Sequence, residues 1–218
     1  QHRVEQVEAL PAGRASERWG RLAFDHAGAL WVTNRWGAGM GLLREGKWQR
    51  LTASDGLPSN SNSAVACDAG GVVWAGFGGL YRLVDGKWER VALPAKLEGC
   101  GHVSALAPST DGAVWAAVTS GSHPELGGVV RVEGEQTGIY TPATSPLPSA
   151  RVRDVLVARN GDVWFASDTG AARVSPAGEW ETVTSVNSGL CCNIVLALAE
   201  DSQGRIWFAT ADGVSCRE

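Results

Sequence analysis

Two adjacent cysteines near the end of the chain, Cys191 and Cys192 in the stretch SGLCCNIV, have side chains suited to metal binding or redox chemistry. When the repeats described below are aligned on their tryptophans, Cys192 falls at the same place as Cys100, and His102 follows two residues later. Thiolate and imidazole are ligands that Cu(I) and Zn(II) favour. One hypothesis is therefore a copper or zinc site formed by Cys100, Cys191, Cys192 and His102.

The same cysteines allow two other interpretations. A disulfide could join Cys191 to Cys192, which is a strained arrangement, or Cys100 to Cys192, which requires Cα atoms within about 7 Å. Alternatively, the cysteines are simply small residues in a place where several loops converge. Serine occupies that place in the other repeats, at Ser16, Ser59 and Ser149.

A thiol near a histidine also suits a nucleophile and its base, so an enzyme such as a lyase or hydrolase is an alternative. Here His102 would assist Cys100 or Cys192. The sequence contains no phosphate-binding loop, no Ser–His–Asp arrangement and no contiguous metal motif, which favours binding over catalysis. No catalytic residue is assigned.

Several residues interrupt the repeated pattern in a way that points to ligand binding. Arg18 and Arg151 share a column of the aligned repeats with His102, and an arginine there can hold a carboxylate or phosphate through two hydrogen bonds. Trp19, Trp36 and Met40 lie outside the repeated positions, so the core does not require them. The predicted ligand-binding residues are Arg18, Trp19, Trp36, Met40, His102 and Arg151.

A repeat organises the whole chain of 218 residues. Five similar segments, from LWVTN at 30 to IWFAT at 206, carry tryptophans spaced 43, 41, 49 and 43 residues apart. A glycine lies three residues before each tryptophan, as expected for the positive φ of a tight turn between strands. A second tryptophan often follows, as in GKWQR, GKWER and GEWET. Each repeat thus predicts four short antiparallel strands.

Repeats of this length and strand number are typical of a β-propeller, in which neighbouring blades bury each other's faces. We predict a single all-β domain over 1–218, a five-bladed propeller with four antiparallel strands per blade. The second strand of each blade is expected at about 30–34, 73–77, 114–118, 163–167 and 206–210. The chain opens with HRVEQVEALPA, similar to KWERVALPA at 87–95, and ends on a third strand. The N-terminal strand is therefore expected to complete the last blade.

The places where repeats differ indicate where a site would lie. The longest insertions, NRWGAGMG at 34–41 and TSGSHPELGG at 119–128, follow the second strand of their blades. Because the first two strands are antiparallel, these loops and the connections between blades meet at one mouth of the central channel. Variable loops on a constant scaffold commonly carry binding function.

Composition excludes some classes of protein. The net charge of −4 provides no basic field for nucleic acid, and no apolar run approaches the roughly 20 residues of a membrane span. The chain begins at Gln1 and its single methionine is Met40, which favours removal of an export signal. Five cysteines leave at least one without a cysteine partner.

The motif DGLPSN, followed by the pattern of VWAGF, GGLYR and DGKWERV, resembles the two-component regulator propeller repeats of bacterial periplasmic sensors. The resemblance extends over essentially the whole chain and is best at 55–93. It implies a periplasmic or extracellular recognition module. A more distant likeness is to propellers of the streptogramin B lyase type.

These observations favour an exported binding module that takes a small molecule, peptide or glycan at the mouth of the channel rich in loops. The alternatives are the enzyme and the copper or zinc protein described above. Another protein bound across the propeller face is a third kind of partner, which would require an extended apolar patch.

Overall fold

The computed structural model describes residues 19–97, 102–120, 123 and 126–218. These residues form five antiparallel sheets, each built from strands that follow one another along the chain. Four sheets have four strands and the last has three. The predicted all-β fold with five propeller blades is confirmed. The strand expected from the N-terminal segment falls in 1–18, outside the described residues.

The strands of the described residues form blades 1 to 4, with four strands each, and blade 5, with three, numbered in chain order. Their bounds are Trp19–Phe24 (β1), Leu30–Asn34 (β2), Met40–Arg44 (β3), Lys47–Leu51 (β4), Val65–Cys67 (β5), Val73–Gly76 (β6), Leu80–Val84 (β7), Lys87–Arg90 (β8), His102–Pro108 (β9), Val114–Thr119 (β10), Gly127–Glu133 (β11), Gln136–Tyr140 (β12), Val152–Val157 (β13), Val163–Ser167 (β14), Gly170–Val174 (β15), Trp180–Val183 (β16), Val195–Glu200 (β17), Ile206–Thr210 (β18) and Gly213–Arg217 (β19). Two short 3₁₀ helices, Ala53–Asp55 and Ala95–Leu97, lie in connections between blades.

The turn between the first two strands of each blade has the same backbone conformation. The five repeated glycines have φ between 77° and 86°, a left-handed region that glycine adopts without steric cost. These glycines are Gly28, Gly71, Gly112, Gly161 and Gly204. The repeated glycine therefore fixes the hairpin from which each blade is built.

Apolar clusters join neighbouring blades. One cluster lies between each successive pair from blade 1 to blade 5, and each contains the second-strand tryptophan of the earlier blade. Those tryptophans, Trp31, Trp74, Trp115 and Trp164, are all buried. Trp207 of blade 5 is only partly buried in the part of the chain that is described. Packing between blades is thus the main role of the repeated tryptophan.

An aspartate in the same turn accepts a hydrogen bond from the tryptophan indole in three blades. The Oδ2 to Nε1 distances are 2.9 Å for Asp25 and Trp31, 2.7 Å for Asp68 and Trp74, and 2.9 Å for Asp201 and Trp207. The hydrogen bond from the Trp207 indole, helped by the Arg205 guanidinium and two backbone N–H groups, holds the pKa of Asp201 well below its usual range, although desolvation opposes the shift. The charged carboxylate therefore stabilises the folded chain.

We expect acid to destabilise the protein through such carboxylates. A depressed pKa contributes stability above the pKa of about 3.9 that an unfolded aspartate has, and this stability is lost as the pH falls below that value. Asp201→Asn keeps an oxygen acceptor but cannot titrate. The fall in melting temperature between pH 6 and pH 3 should therefore be smaller in Asp201→Asn than in the wild type. Parallel pH profiles of the two proteins would contradict this assignment.

Candidate site at the mouth of the channel

A cavity of about 470 Å³ lies at one mouth of the central channel. It is bordered by the innermost strand, or the residues leading into it, of every blade. The lining residues are Gly20, Arg21, Arg35, Ser63, His102, Ser104, Thr119, Arg151, Val152, Arg153 and Leu196. A cavity of this size, formed where several elements converge, is suited to a small ligand.

β-Bulges in the innermost strands direct side chains into this cavity. In β9 the ladder skips Ser104, in β13 it skips Arg153, and in β17 it skips Leu196. A similar shift in β1 occurs at Gly20 and Arg21. A bulge adds one residue to a strand and redirects its side chains, and here the bulged residues all line the cavity.

Serine hydroxyls connect successive innermost strands around the mouth. Ser63 donates a hydrogen bond of 2.6 Å to the carbonyl oxygen of Val103 in the next blade. Ser104 likewise donates to the carbonyl oxygen of Val152, at 2.7 Å. These bonds give the wall of the cavity a defined geometry.

An ion pair across the channel forms the floor of the cavity. Arg21 of blade 1 contacts Asp154 of blade 4 at 2.8 Å, although these blades are not neighbours in the ring. The other oxygen of Asp154 accepts a 3.0 Å hydrogen bond from the backbone N–H of Leu198 in blade 5. A smaller cavity of about 180 Å³ lies beyond, and both residues border it. Because Arg21 borders both cavities, the pair lies where the two cavities approach each other.

Basic groups dominate the walls. On one side Arg35 lies 2.6 Å from Nε2 of His102, measured from its Nη2. On another side Arg151 and Arg153 both contact the carboxylate of Asp168, the former at 3.5 Å. Burial, together with the positive charge of Arg35, lowers the pKa of His102. Because a guanidinium can only donate, His102 accepts this bond as a neutral imidazole.

The structure brings together some of the residues predicted from the sequence. His102 and Arg151 both line the cavity. Trp19 is partly buried at the start of β1, with the Arg50 guanidinium 6.0 Å from its ring centroid. Trp36 follows Arg35 in an exposed loop, but its ring does not border the cavity. Arg18 lies outside the described residues.

Met40 does not line the cavity, contrary to the prediction from the sequence, because it is a core residue. Its side chain is fully buried in the cluster between blades 1 and 2. Asn62 folds the inserted loop back, since its amide accepts from the N–H of Asn34 at 2.7 Å and donates to the carbonyl of Gly39 at 3.0 Å. Gly39 has a φ of 84°, and a Cβ there would lie 2.1 Å from the carbonyl oxygen of Leu51. This tight return directs Met40 inward.

The cysteine pair lies away from the cavity, against the last blade. Cys191 is exposed, and its sulfur lies 3.1 Å from the Thr210 hydroxyl and accepts a hydrogen bond from Ser215 at 3.4 Å. Cys192 is partly buried and accepts a 3.4 Å bond from the backbone of Ile194. Both are free thiols.

The predicted metal site is not assembled from the residues that can be described. Among them, no three histidine, cysteine or acidic side chains form a group that could hold a metal ion. Cys100, the fourth ligand of the hypothesis, falls outside the described ranges. Cys216 is exposed on β19, whose outer edge is unpaired within the described part of the chain.

Cys191 is expected to be the more reactive of two exposed thiols. Hydrogen bonding with the hydroxyls of Ser215 and Thr210 lowers its pKa, and the thiolate is the nucleophilic form. At pH 7 we expect iodoacetamide to alkylate Cys191 about threefold or more faster than Cys216, as followed by peptide mass spectrometry. Ser215→Ala should slow Cys191 alone. Equal rates for both cysteines would contradict the role of these hydroxyls.

Four residues of the site were not predicted from the sequence: Arg21, Arg35, Arg153 and Asp154. One column of the repeat carries a usable signal, ten residues before each second-strand tryptophan. Alanine occupies this column in three blades, whereas the other two carry a basic and an acidic residue. The column reads Arg21, Ala64, Ala105, Asp154 and Ala197. Oppositely charged residues among alanines, at a position facing the channel, predict an ion pair across it.

Comparisons with known proteins agree with the fold. The family described as "Two component regulator propeller" matches residues 189–212. The resemblance to these repeats inferred from the sequence is confirmed. No curated protein sequence gives a significant match.

Solved structures similar to this chain are also propellers of low sequence identity. One, described as the extracellular domain of the hybrid two component system BT3049 from B. thetaiotaomicron, has a TM-score of 0.77 and 18% identity. The alignment covers 96% of this chain but only 29% of that protein. Streptogramin B lyase has a TM-score of 0.72 and 16% identity, and the alignment covers 95% of this chain and 67% of the lyase. A catalytically inactive virginiamycin B lyase from Staphylococcus aureus, with quinupristin, has a TM-score of 0.69 and 15% identity. The alignment covers 94% of this chain and 71% of that lyase.

Proposed function

We propose that this propeller is a periplasmic or extracellular recognition module that binds a small ligand at the mouth of its channel. The observation that carries the proposal is the cavity of about 470 Å³ bordered by all five blades. Its bulged strands, its serine hydrogen bonds and the ion pair at its inner end give it a defined shape before any ligand arrives. Preformed pockets with a few convergent polar groups are the usual form of a small-molecule site.

The proposed location is supported by the similarity to an extracellular domain of a two-component system. In addition, no helix in the described parts of the chain has the length and apolar character needed to cross a membrane. Recognition of a small molecule, or of a short end of a peptide or glycan, is compatible with a cavity of about 470 Å³.

The test uses a variant that fills the mouth. Leu196 lines the cavity from a bulge and is 42% exposed, so Leu196→Trp should occupy the cavity without disturbing the core. A panel of charged and neutral small molecules is screened by calorimetry against the wild type, Leu196→Trp and the control Val186→Trp. Val186 is 92% exposed and does not line the cavity.

Binding that Leu196→Trp abolishes and Val186→Trp preserves is the expected result. Either of two results would overturn the proposal. One is a panel in which nothing binds the wild type, and the other is binding that Leu196→Trp leaves unchanged.

A further inference from the structure

We infer that the ligand bound at this mouth carries an anionic group, a carboxylate, sulfate or phosphate, held by Arg35 and by the pair Arg151 and Arg153. This inference rests on the proposed function and adds to it the chemical class of the ligand. It follows from the distribution of charge around the cavity.

Positive charge in the cavity exceeds the negative charge available to it. Four arginines line the wall, and no aspartate or glutamate is among the lining residues that the structure describes. Behind the wall, Asp154 compensates Arg21, and the single carboxylate of Asp168 serves both Arg151 and Arg153. Counted over the described residues, four guanidinium groups contact two carboxylates, an excess of two positive charges in a chain whose net charge is −4.

Part of this excess of positive charge is located on Arg35. Among the described residues, its partner is the imidazole of His102 and not a carboxylate, so its charge is not neutralised by this contact. The imidazole accepts one N–H and orients the guanidinium, and no other described residue takes up its remaining donors. A planar guanidinium with free donors matches the oxygens of a carboxylate, sulfate or phosphate.

Isolated arginines on a protein surface are common and carry no such implication. Here, however, the arginines come from blade 1 and blade 4 and converge on one cavity. Like charges brought together repel one another, so their convergence has a cost that a bound anion would offset. The ion pair of Arg21 and Asp154 limits the depth available, which favours a small anion or the anionic end of a larger molecule.

The experiment measures the binding of inorganic sulfate, inorganic phosphate and citrate by calorimetry at constant ionic strength. The three anions distinguish among the sulfate, phosphate and carboxylate groups that this chemistry would accept. Arg35→Gln and Arg151→Gln test the two sides of the cavity. Arg90→Gln is the matched control, because Arg90 is exposed on β8 and does not line the cavity.

We expect at least one of the anions to bind the wild type and Arg90→Gln equally, and to bind Arg35→Gln and Arg151→Gln about tenfold or more weakly. If none of the anions binds, or if both cavity variants bind as the wild type does, the inference is overturned. Neutral compounds that bind in a manner sensitive to Leu196→Trp would then leave the proposed function standing. The proposed function itself fails if no compound of the panel binds the wild type, or if Leu196→Trp leaves all observed binding unchanged.

Discussion

Trp115→Ala is expected to lower the free energy of unfolding by about 3–5 kcal/mol, the usual cost of removing a large aromatic side chain from a core. Trp115 is buried in the cluster between blades 3 and 4, with its ring centroid 5.5 Å from that of Phe165 and 5.3 Å from that of Tyr140. The Arg131 guanidinium lies 5.9 Å from the Trp115 ring centroid. Replacement by alanine therefore leaves a cavity in the interface between blades 3 and 4.

Urea denaturation provides the measurement, and Trp36→Ala provides the control within the same chain. Trp36 is 69% exposed, so its loss should change stability by no more than about 0.5 kcal/mol. Should Trp115→Ala fail to fold, Trp115→Phe should still show a smaller loss of the same origin. Similar stabilities for Trp115→Ala and Trp36→Ala would contradict the role given to the repeated tryptophan.

Asp154→Asn is expected to have two opposite effects. The substitution removes the counter-charge of Arg21, whereas an asparagine oxygen can still accept from Leu198. Because Asp154 is buried but Arg21 is partly exposed, we expect a loss of about 2 kcal/mol in the free energy of unfolding. The uncompensated Arg21 should at the same time strengthen the binding of sulfate or phosphate at the mouth.

The control for this second prediction is Asp212→Asn, an exposed aspartate in the turn between β18 and β19. It should change neither the unfolding curve nor anion binding by a measurable amount. An Asp154→Asn variant as stable as Asp212→Asn would mean that the ion pair contributes nothing. Weaker anion binding in Asp154→Asn would mean that its charge does not oppose the ligand.

The fold was predictable from the sequence because one local unit recurs. A glycine with left-handed backbone makes the hairpin, and a tryptophan three residues later fills the space between blades. Both features are determined by residues close together along the chain, so their regular spacing can be recognised in the amino-acid sequence. The same spacing placed His102 and Arg151 in one column of the repeat, and both line the cavity, while their role in binding stays a prediction.

Other parts of the site depend on shifts of a single residue. A bulge at Arg153 turns its side chain toward the channel. The alternation of apolar and polar residues in the sequence does not reveal which residue of a strand is left out of the pairing with its neighbour. Met40 was misplaced because the contacts of Asn62, far along the sequence, decide how the inserted loop returns. The proximity of Arg35 to His102 likewise joins residues of different blades.

The most direct test of the central claim is to locate an anion bound to the protein. Crystals grown with selenate, an analogue of sulfate, would be measured at the selenium absorption edge, where anomalous scattering identifies the ion. A ligand site at the mouth predicts an anomalous peak within hydrogen-bonding distance of Arg35 or of Arg151 and Arg153, and none there in Arg35→Gln, Arg151→Gln double-variant crystals. Selenate bound only elsewhere on the propeller, with the mouth holding water, would contradict it.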